Sequence, residues 1–352
     1  MRLSLHTHLC LLFGRSQTIV LCLTLLMACA PNLEAGQAEL VVGDTTLVFA
    51  TVAEGRRVLG RRDDFVKQLS PFDRAVRLKT DREVSESEFL LFVRRQVLAW
   101  TEPEKDRISS ALDSLRSALE RLALPLPERI YLVKTTGRDE SGAAYTRDQA
   151  IVLPAAKLKE EPLALQRIIS HELFHILSRT NPELKERLYR GIGFEKCPEV
   201  QLPAPLRSRR ITNPDAPDSE HCIRVRVDGE PTWTIPILFA NRERYEAGSG
   251  KALFDYLQFK FLLVDRTSDP LEVRPRYEGT TPALVGIDGI SGFFEQVGRN
   301  TKYIIHPEEI LAENFVLLIL REETIASPDI LSRMRRALSE GVATRADAES
   351  QD

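Results

Sequence analysis

The sequence predicts an α+β protein: a small mixed sheet, two helices that carry the chemistry, and a mainly helical N-terminal support region. Three observations predict it. Ser/Thr capping signals open apolar-periodic stretches between residues 85 and 125. Short strand-like runs bounded by Gly, Pro and Asp recur from residue 129 onward. A scarcely charged helical stretch near residue 170 needs other elements packed around it. At 352 residues and 43% apolar content, the chain has material for one large domain with a leader, or for two domains. The expected division is a leader over 1–30, a β-hairpin and helical support over 31–125, the main α+β domain over 126–325, and a C-terminal helix and tail over 326–352.

In chain order, residues 40–49 (LVVGDTTLVF) read as two short strands around Gly43-Asp44. Residues 56–82 are charged and weakly periodic and predict no definite element. Ser85-x-x-Glu88 is a capping box, so a helix runs from there to about Trp100. Thr101-x-x-Glu104, with Pro103 early, opens another; Ile108, Leu112, Leu115, Leu119 and Leu122 keep helical spacing as far as Pro125. Residues 129–134 (RIYLVK) and 150–153 (AIVL) read as strands, with a turn-rich loop over 137–142 between them. A helix over 162–179 turns Leu165, Ile169, Leu173 and Ile176 to a core and His171 and His175 to a different face. Asn181-Pro182 stops it, and Asn181 is placed to cap a short helix beyond (PELKERLYR). Residues 191–216 are Gly/Pro-rich and predict an ordered surface loop. Strand-like runs occupy 222–227, 232–240 and 253–265. Pro307 begins a helix to about Arg321 with His306 near its N-cap, and Ser327-Pro328-Asp329 begins a last one to about Glu340, before a frayed polar end.

The first thirty residues predict export. Arg2, His6, His8 and Arg15 make a basic start, and residues 18–30 (TIVLCLTLLMACA) are almost wholly apolar, the length of a signal h-region and short for a membrane span. Leu26-Met27-Ala28-Cys29 resembles a bacterial lipobox, in which Cys29 is acylated and anchors the protein to the membrane by its lipid. Cleavage after Ala30 or Ala38 would free the protein instead, and retention of the run as an anchor helix is the third alternative. The expected location is the bacterial cell envelope facing the periplasm, or outside the cell. Of five cysteines, removal of the leader leaves Cys197 and Cys222, which an oxidising compartment permits to form a disulfide; two free thiols are the alternative. Their spacing is not that of a zinc-thiolate site. A net charge of −3 without a basic stripe argues against a nucleic-acid partner.

The densest chemistry lies in His171-Glu172-Leu173-Phe174-His175, which fits H-E-x-x-H. Histidines four apart share a helix face, roughly 5–6 Å apart at Cβ, and two imidazoles can converge on one Zn2+ at about 2.0–2.1 Å. Glu172 is then placed to act on a water as general base. A catalytic zinc takes three protein ligands and keeps one position open. The run after His175, Ile-Leu-Ser-Arg-Thr-Asn-Pro, excludes a metzincin-type third histidine. The best third ligand is Glu309, with Glu313 one turn on; Glu313, His306 and His221 are the alternatives. Carboxylates in so apolar a segment need partners, whereas helix-dipole compensation alone accounts for Glu308 and Glu309 but poorly for Glu313.

Glu309-Ile310-Leu311-Ala312-Glu313, taken with the first motif, resembles the gluzincins, the thermolysin-like branch of the zincin peptidases, over roughly residues 129–321. There a second helix carries Glu-x-x-x-Asp; this chain has Glu in place of Asp. The resemblance implies a zincin-like fold, Zn2+ on His171, His175 and Glu309, Glu313 orienting a ligand histidine, and peptide or protein substrates. The gap between His175 and Glu309 then holds the Gly/Pro-rich loop and strands as an insertion. It also implies an edge strand, over residues 143–153 here, to which an extended peptide adds. Tyr303 and Tyr145 are candidate oxyanion donors, and His306 a candidate substrate contact. The rival expectation is a non-catalytic lipoprotein on the same scaffold.

Overall fold

Along β3 (Arg129–Thr135), Ile130 and Leu132 enter one hydrophobic cluster while Tyr131 and Val133 enter another, as the period-two alternation of a strand requires. The sheet around β3 is therefore covered on both faces. A computed structural model describes residues 39–268 and 271–349, so the leader, Cys29 and Ala38 lie outside the described residues. No helix among the described residues is long and apolar enough to cross a membrane.

The first sheet runs β1 (Glu39–Val42), β2 (Thr45–Phe49), β3, β5 (Ala150–Pro154), β4 (Tyr145–Arg147). β2, β3 and β5 are parallel; β1 and β4 join antiparallel at the edges, so the sheet is mixed. On one face lie α1 (Val52–Leu59), α2 (Asp64–Gln68) and α4 (Glu86–Gln96), with Leu59, Phe65 and Phe89 packed against Val133 and Val152. On the other lie α5 (Glu102–Leu122) and α6 (Pro162–Thr180), with Leu112, Leu115, Leu165 and Ile169 against Leu132 and Ile151. The Pro125–Pro127 punctuation falls between α5 and β3, and the segments before and after it share this core.

The second sheet is antiparallel, in the order β10 (Leu271–Pro275), β9 (Leu257–Ser268), β8 (Glu230–Ala240), β7 (His221–Val227), with β6 (Phe194–Lys196) also on β7. Ile223, Val225 and Phe261 turn to the cluster that holds α6; Cys222, Ile235, Ile237 and Leu262 turn the other way. Around these lie α3 (Pro71–Leu78), α7 (Pro182–Gly191), α8 (Ala204–Arg207), α9 (Leu253–Tyr256), α10 (Phe294–Val297), α11 (Pro307–Leu320) and α12 (Pro328–Glu349). α5 and α11 both pack on α6.

The mixed α+β class is as expected; several local expectations change. Residues 56–82 are largely helical, in α1, α2 and α3, each opened by a capping side chain: Thr51, Asp63 and Ser70. α4 stops at Gln96 rather than near Trp100, because Val97 leaves to bridge Thr135 and Trp100 Nε1 donates to the Leu132 carbonyl at 3.1 Å. Asn181 does not cap α7 with its side chain; its Nδ2 donates to the carbonyls of Pro125 and Leu177, both at 2.8 Å. Residues 191–216 include β6 and α8 and bury Val200, Leu202, Leu206 and Ile211. Residues 253–256 are helical, ahead of β9, and α12 runs past Glu340 to Glu349.

One buried ionic cluster ties the helical layer to the long loop. Arg77 Nη1 donates to Asp73 Oδ1 at 2.6 Å, while Nε and Nη2 fork onto Glu140 at 2.7 and 2.8 Å. Asp73 Oδ2 accepts from Thr212 Oγ1 at 2.8 Å. Arg77 and Asp73 are 2% and 0% exposed, so removing one partner leaves charge in the core without compensation. Arg77→Ala is expected to lower the unfolding free energy by about 3–5 kcal/mol in urea titrations.

Candidate metal centre

α6 and α11 bring the chemistry together. Leu165, Ile169, Leu173 and Ile176 seat α6 in the core as expected, and neighbours on its other faces bury Glu172 and His175 too, at 3% and 0% exposure. α11 is buried along nearly its whole length, acids Glu308 and Glu309 included. In that setting every carboxylate needs a partner.

The partners are one another. Glu309 Oε2 lies 3.1 Å from His171 Nε2 and 3.7 Å from His175 Nε2. The ligand atoms of His171, His175 and Glu309 all fall within 4.8 Å of one another. A tetrahedral zinc shell with bonds of about 2.0–2.1 Å sets its donor atoms roughly 3.3 Å apart, between the two measured separations. The far nitrogens are held separately: His171 Nδ1 by Glu313 and His175 Nδ1 by Glu308, each at 3.1 Å. Such contacts fix an imidazole and turn its Nε2 toward Glu309. Glu308 is in turn fixed by Ser178 Oγ at 2.8 Å and the Tyr189 hydroxyl at 2.6 Å, and Glu309 Oε1 accepts from Asn213 Nδ2 at 2.6 Å. His175 Nε2 and Glu172 Oε2 are buried with no hydrogen-bond partner in the protein. Two orphaned polar atoms facing one acidic centre fit a cation and a water better than an empty core.

The electrostatics describe the same demand. Burial opposes charge on both histidines, yet Glu309 and Glu313 raise His171 well above its ordinary value, and Asp215 and Glu309 raise His175 to about 9. Against its own burial, Glu309 falls to about 2, first through His175 and then His171. Burial, then Asp215, pushes Glu172 up to about 8. In the ion-free chain, protons on imidazole meet a need for positive charge that a divalent cation can meet instead.

Other expected residues fall out unequally. Tyr303 is at hand: its ring centre is 6.5 Å from that of His171, and it is 41% exposed. Tyr145 is not, being buried in the α1–α4 cluster with its hydroxyl donated to Asp139 at 2.7 Å. His306 is the N-cap of α11, its Nδ1 accepting from Glu308 N at 3.1 Å, so its geometry supports capping and not catalysis. His221, an alternative third ligand, is instead buried away from Glu309, paired with Glu186 at 3.0 Å and packed on Tyr189. Cys197 and Cys222 are both buried free thiols.

The motifs alone do not point to Glu308, Ser178, Tyr189, Asn213 or Asp215. Glu308 carries the same signal as its neighbour, a carboxylate in an apolar helix. Asn213 and Asp215 carry no local signal. They arrive through the long loop, and Asp215 also changes the edge strand. β4 is the sheet edge nearest α6, but Thr146 N donates to Asp215 Oδ1 at 2.7 Å and Thr146 Oγ1 does so at 2.6 Å. The main-chain donor that an added peptide strand would use is thus taken. The Asp215 carboxylate itself lies within 4.8 Å of ligand atoms on Glu172 and His175.

The chain matches no family model, no curated protein and no solved structure. The centre stands on its own geometry.

Two outcomes check that geometry in ion-free protein. Glu308→Ala strands His175 Nδ1, Ser178 Oγ and the Tyr189 hydroxyl, and is expected to cost about 3–5 kcal/mol in urea unfolding, against about 1.5–3 for Tyr189→Phe. Glu172, raised from 4.5 to about 8, holds its proton in the folded state. Its share of stability is whole below the unfolded value and is lost as pH rises through the folded one. Wild type should therefore lose stability relative to Glu172→Gln between pH 4.5 and 8; midpoints that differ by a constant amount across that range would contradict a buried, raised Glu172.

Proposed function

We propose that this chain is an exported zinc-dependent peptidase of the gluzincin kind, hydrolysing peptide bonds with Glu172 as general base. The observation that carries the proposal is the convergence of His171 Nε2, His175 Nε2 and Glu309 Oε2 beside a buried Glu172 oxygen without a partner. Glu313 behind His171 matches the role the gluzincin resemblance gives it. The export signal and Cys29 acylation belong to the same proposal, on the sequence alone.

His171, His175 and Glu309 would hold the ion. A bound Zn2+ supplies Lewis acidity, which acidifies water and polarises a carbonyl. Glu313 and Glu308 keep the two imidazoles turned with Nε2 inward. Asn213 holds the outer oxygen of Glu309. Glu172 accepts the proton of the attacking water and returns it to the leaving amine; a cation beside it would oppose the burial and the Asp215 charge that keep it protonated in the ion-free chain, and so free it as the base. Tyr303, at the open side of the centre, donates to the developing oxyanion. Substrate approaches past Tyr303, His171 and Glu313, whose side chains retain exposure, and not along the occupied edge of β4.

Asp215 favours a second reading. A carboxylate so near His175 and Glu172 can close the position a catalytic site leaves open, which suits a non-catalytic, structural metal site. Metal content and hydrolysis together separate the two. Protein lacking the leader is expected to bind one zinc, to keep it in Glu172→Gln, and to lose it in His171→Ala and Glu309→Ala. Against a peptide library, Glu172→Gln should lose about 10²–10⁴ of the rate, and Tyr303→Phe about 10²–10³ in kcat with KM little changed. Zinc without hydrolysis of any peptide supports the structural reading, and no metal after reconstitution removes both.

A further inference from the structure

Residues 197–222 leave the second sheet, pass through α8, deliver Asn213 and Asp215 to the centre, and return to the sheet at β7. Both ends of that excursion carry a cysteine. Strand register sets the two side by side: Glu195 pairs with Cys222, Lys196 pairs with His221, and Cys197 N donates to the Glu220 carbonyl at 2.7 Å. Cys197 is thus the diagonal cross-strand neighbour of Cys222 on one face of the sheet, and both side chains enter the same buried cluster. They are the two cysteines of the described residues. We propose that Cys197 and Cys222 form a disulfide that clasps this loop at its base and so holds Asn213 against Glu309 and Asp215 against Thr146.

The surroundings favour the chemistry. Arg266 Nη1 lies 3.5 Å from Cys222 Sγ, steadied by Glu195 at 2.7 Å and by stacking on Trp233. Cys197 beside it, with Arg266 assisting against burial, lowers the Cys222 thiol pKa, whereas Cys222 and burial raise that of Cys197. With Arg266 brought beside it by the pairing of β7, β8 and β9 alone, Cys222 is the thiol that attacks first. The oxidant is a protein or small-molecule disulfide, of the kind an oxidising compartment supplies. The Cys222 thiolate displaces one sulfur of that disulfide, giving a mixed disulfide and one released thiol. The Cys197 thiolate then displaces the other, forming the Sγ–Sγ bond. Two protons and two electrons leave the protein and end on the oxidant's two thiols. Both cysteines are buried, at 3% and 0% exposure, so the exchange belongs to folding, before β6 closes over Cys222.

The bond does not depend on metal at the centre, and its test is run in chelator. Full chain is expressed with its leader, extracted without reductant, alkylated in denaturant and mapped by peptide mass. A linked Cys197–Cys222 peptide pair is expected. Recovery of both cysteines alkylated overturns the proposal. For the clasp, trypsin cleavage after Arg207 or Arg209 is timed in untreated protein, in dithiothreitol-reduced protein and in the Cys197→Ala/Cys222→Ala variant. Opening the clasp should speed cleavage on the order of tenfold. Equal rates with and without the link overturn the clasp even if the bond forms, and the reduced wild type supplies the comparison if the variant does not fold. Absence of zinc from the purified protein would sink the metal proposal and leave both of these readouts unchanged.

Discussion

Burial of α11 is the constraint on which the rest depends. A helix this enclosed cannot carry Glu308 and Glu309 unless each finds compensation. They find it on α6, in the imidazoles of His171 and His175, and on α7, in the Tyr189 hydroxyl. The contact between α6 and α11 is therefore apolar along one stripe, with Phe174 against Phe315, and ionic along the next. Each stripe sets the register of the other, because a shift by one residue would unpair the acids and expose the apolar side chains together.

The two sheets divide the remaining work. The mixed sheet and α5 fix the position of α6, since Leu132 and Ile151 share a cluster with Leu165 and Ile169. The antiparallel sheet supplies the base from which the long loop departs. That loop is held at several points: at Thr212 by the Asp73–Arg77 cluster, at Asn213 by Glu309, and at Asp215 by Thr146. Its ends also meet at Cys197 and Cys222. A segment so tied behaves as part of the wall of the centre, with the geometry of Asn213 and Asp215 set from outside the two motif helices.

The charge state of the centre comes from this enclosure. Acids from α6, α11 and the long loop surround two imidazoles, and the imidazoles respond by holding protons more tightly than they would in water. A site whose ion-free form takes up protons will release them when a cation enters. The same enclosure raises Glu172, whereas Glu309 beside it is held ionised by its contacts with the two imidazoles. Two carboxylates of one centre thus take opposite charge states, one suited to carrying a proton and the other to holding an ion.

What the sequence determined by itself was local. Capping boxes at Ser85 and Thr101 located α4 and α5. The four-residue spacing of His171 and His175 placed both on one helix face, and two acids in an apolar segment singled out Glu309 and Glu313. Each of these rests on neighbours along one chain segment, where helix geometry alone fixes which side chains meet. Tertiary structure alone decided that Glu308 turns to His175, that Tyr145 packs away from the centre while Tyr303 borders it, and that Asn213 and Asp215 enter it at all. Those contacts join residues far apart in sequence, and no periodicity within a segment records where another segment will pack.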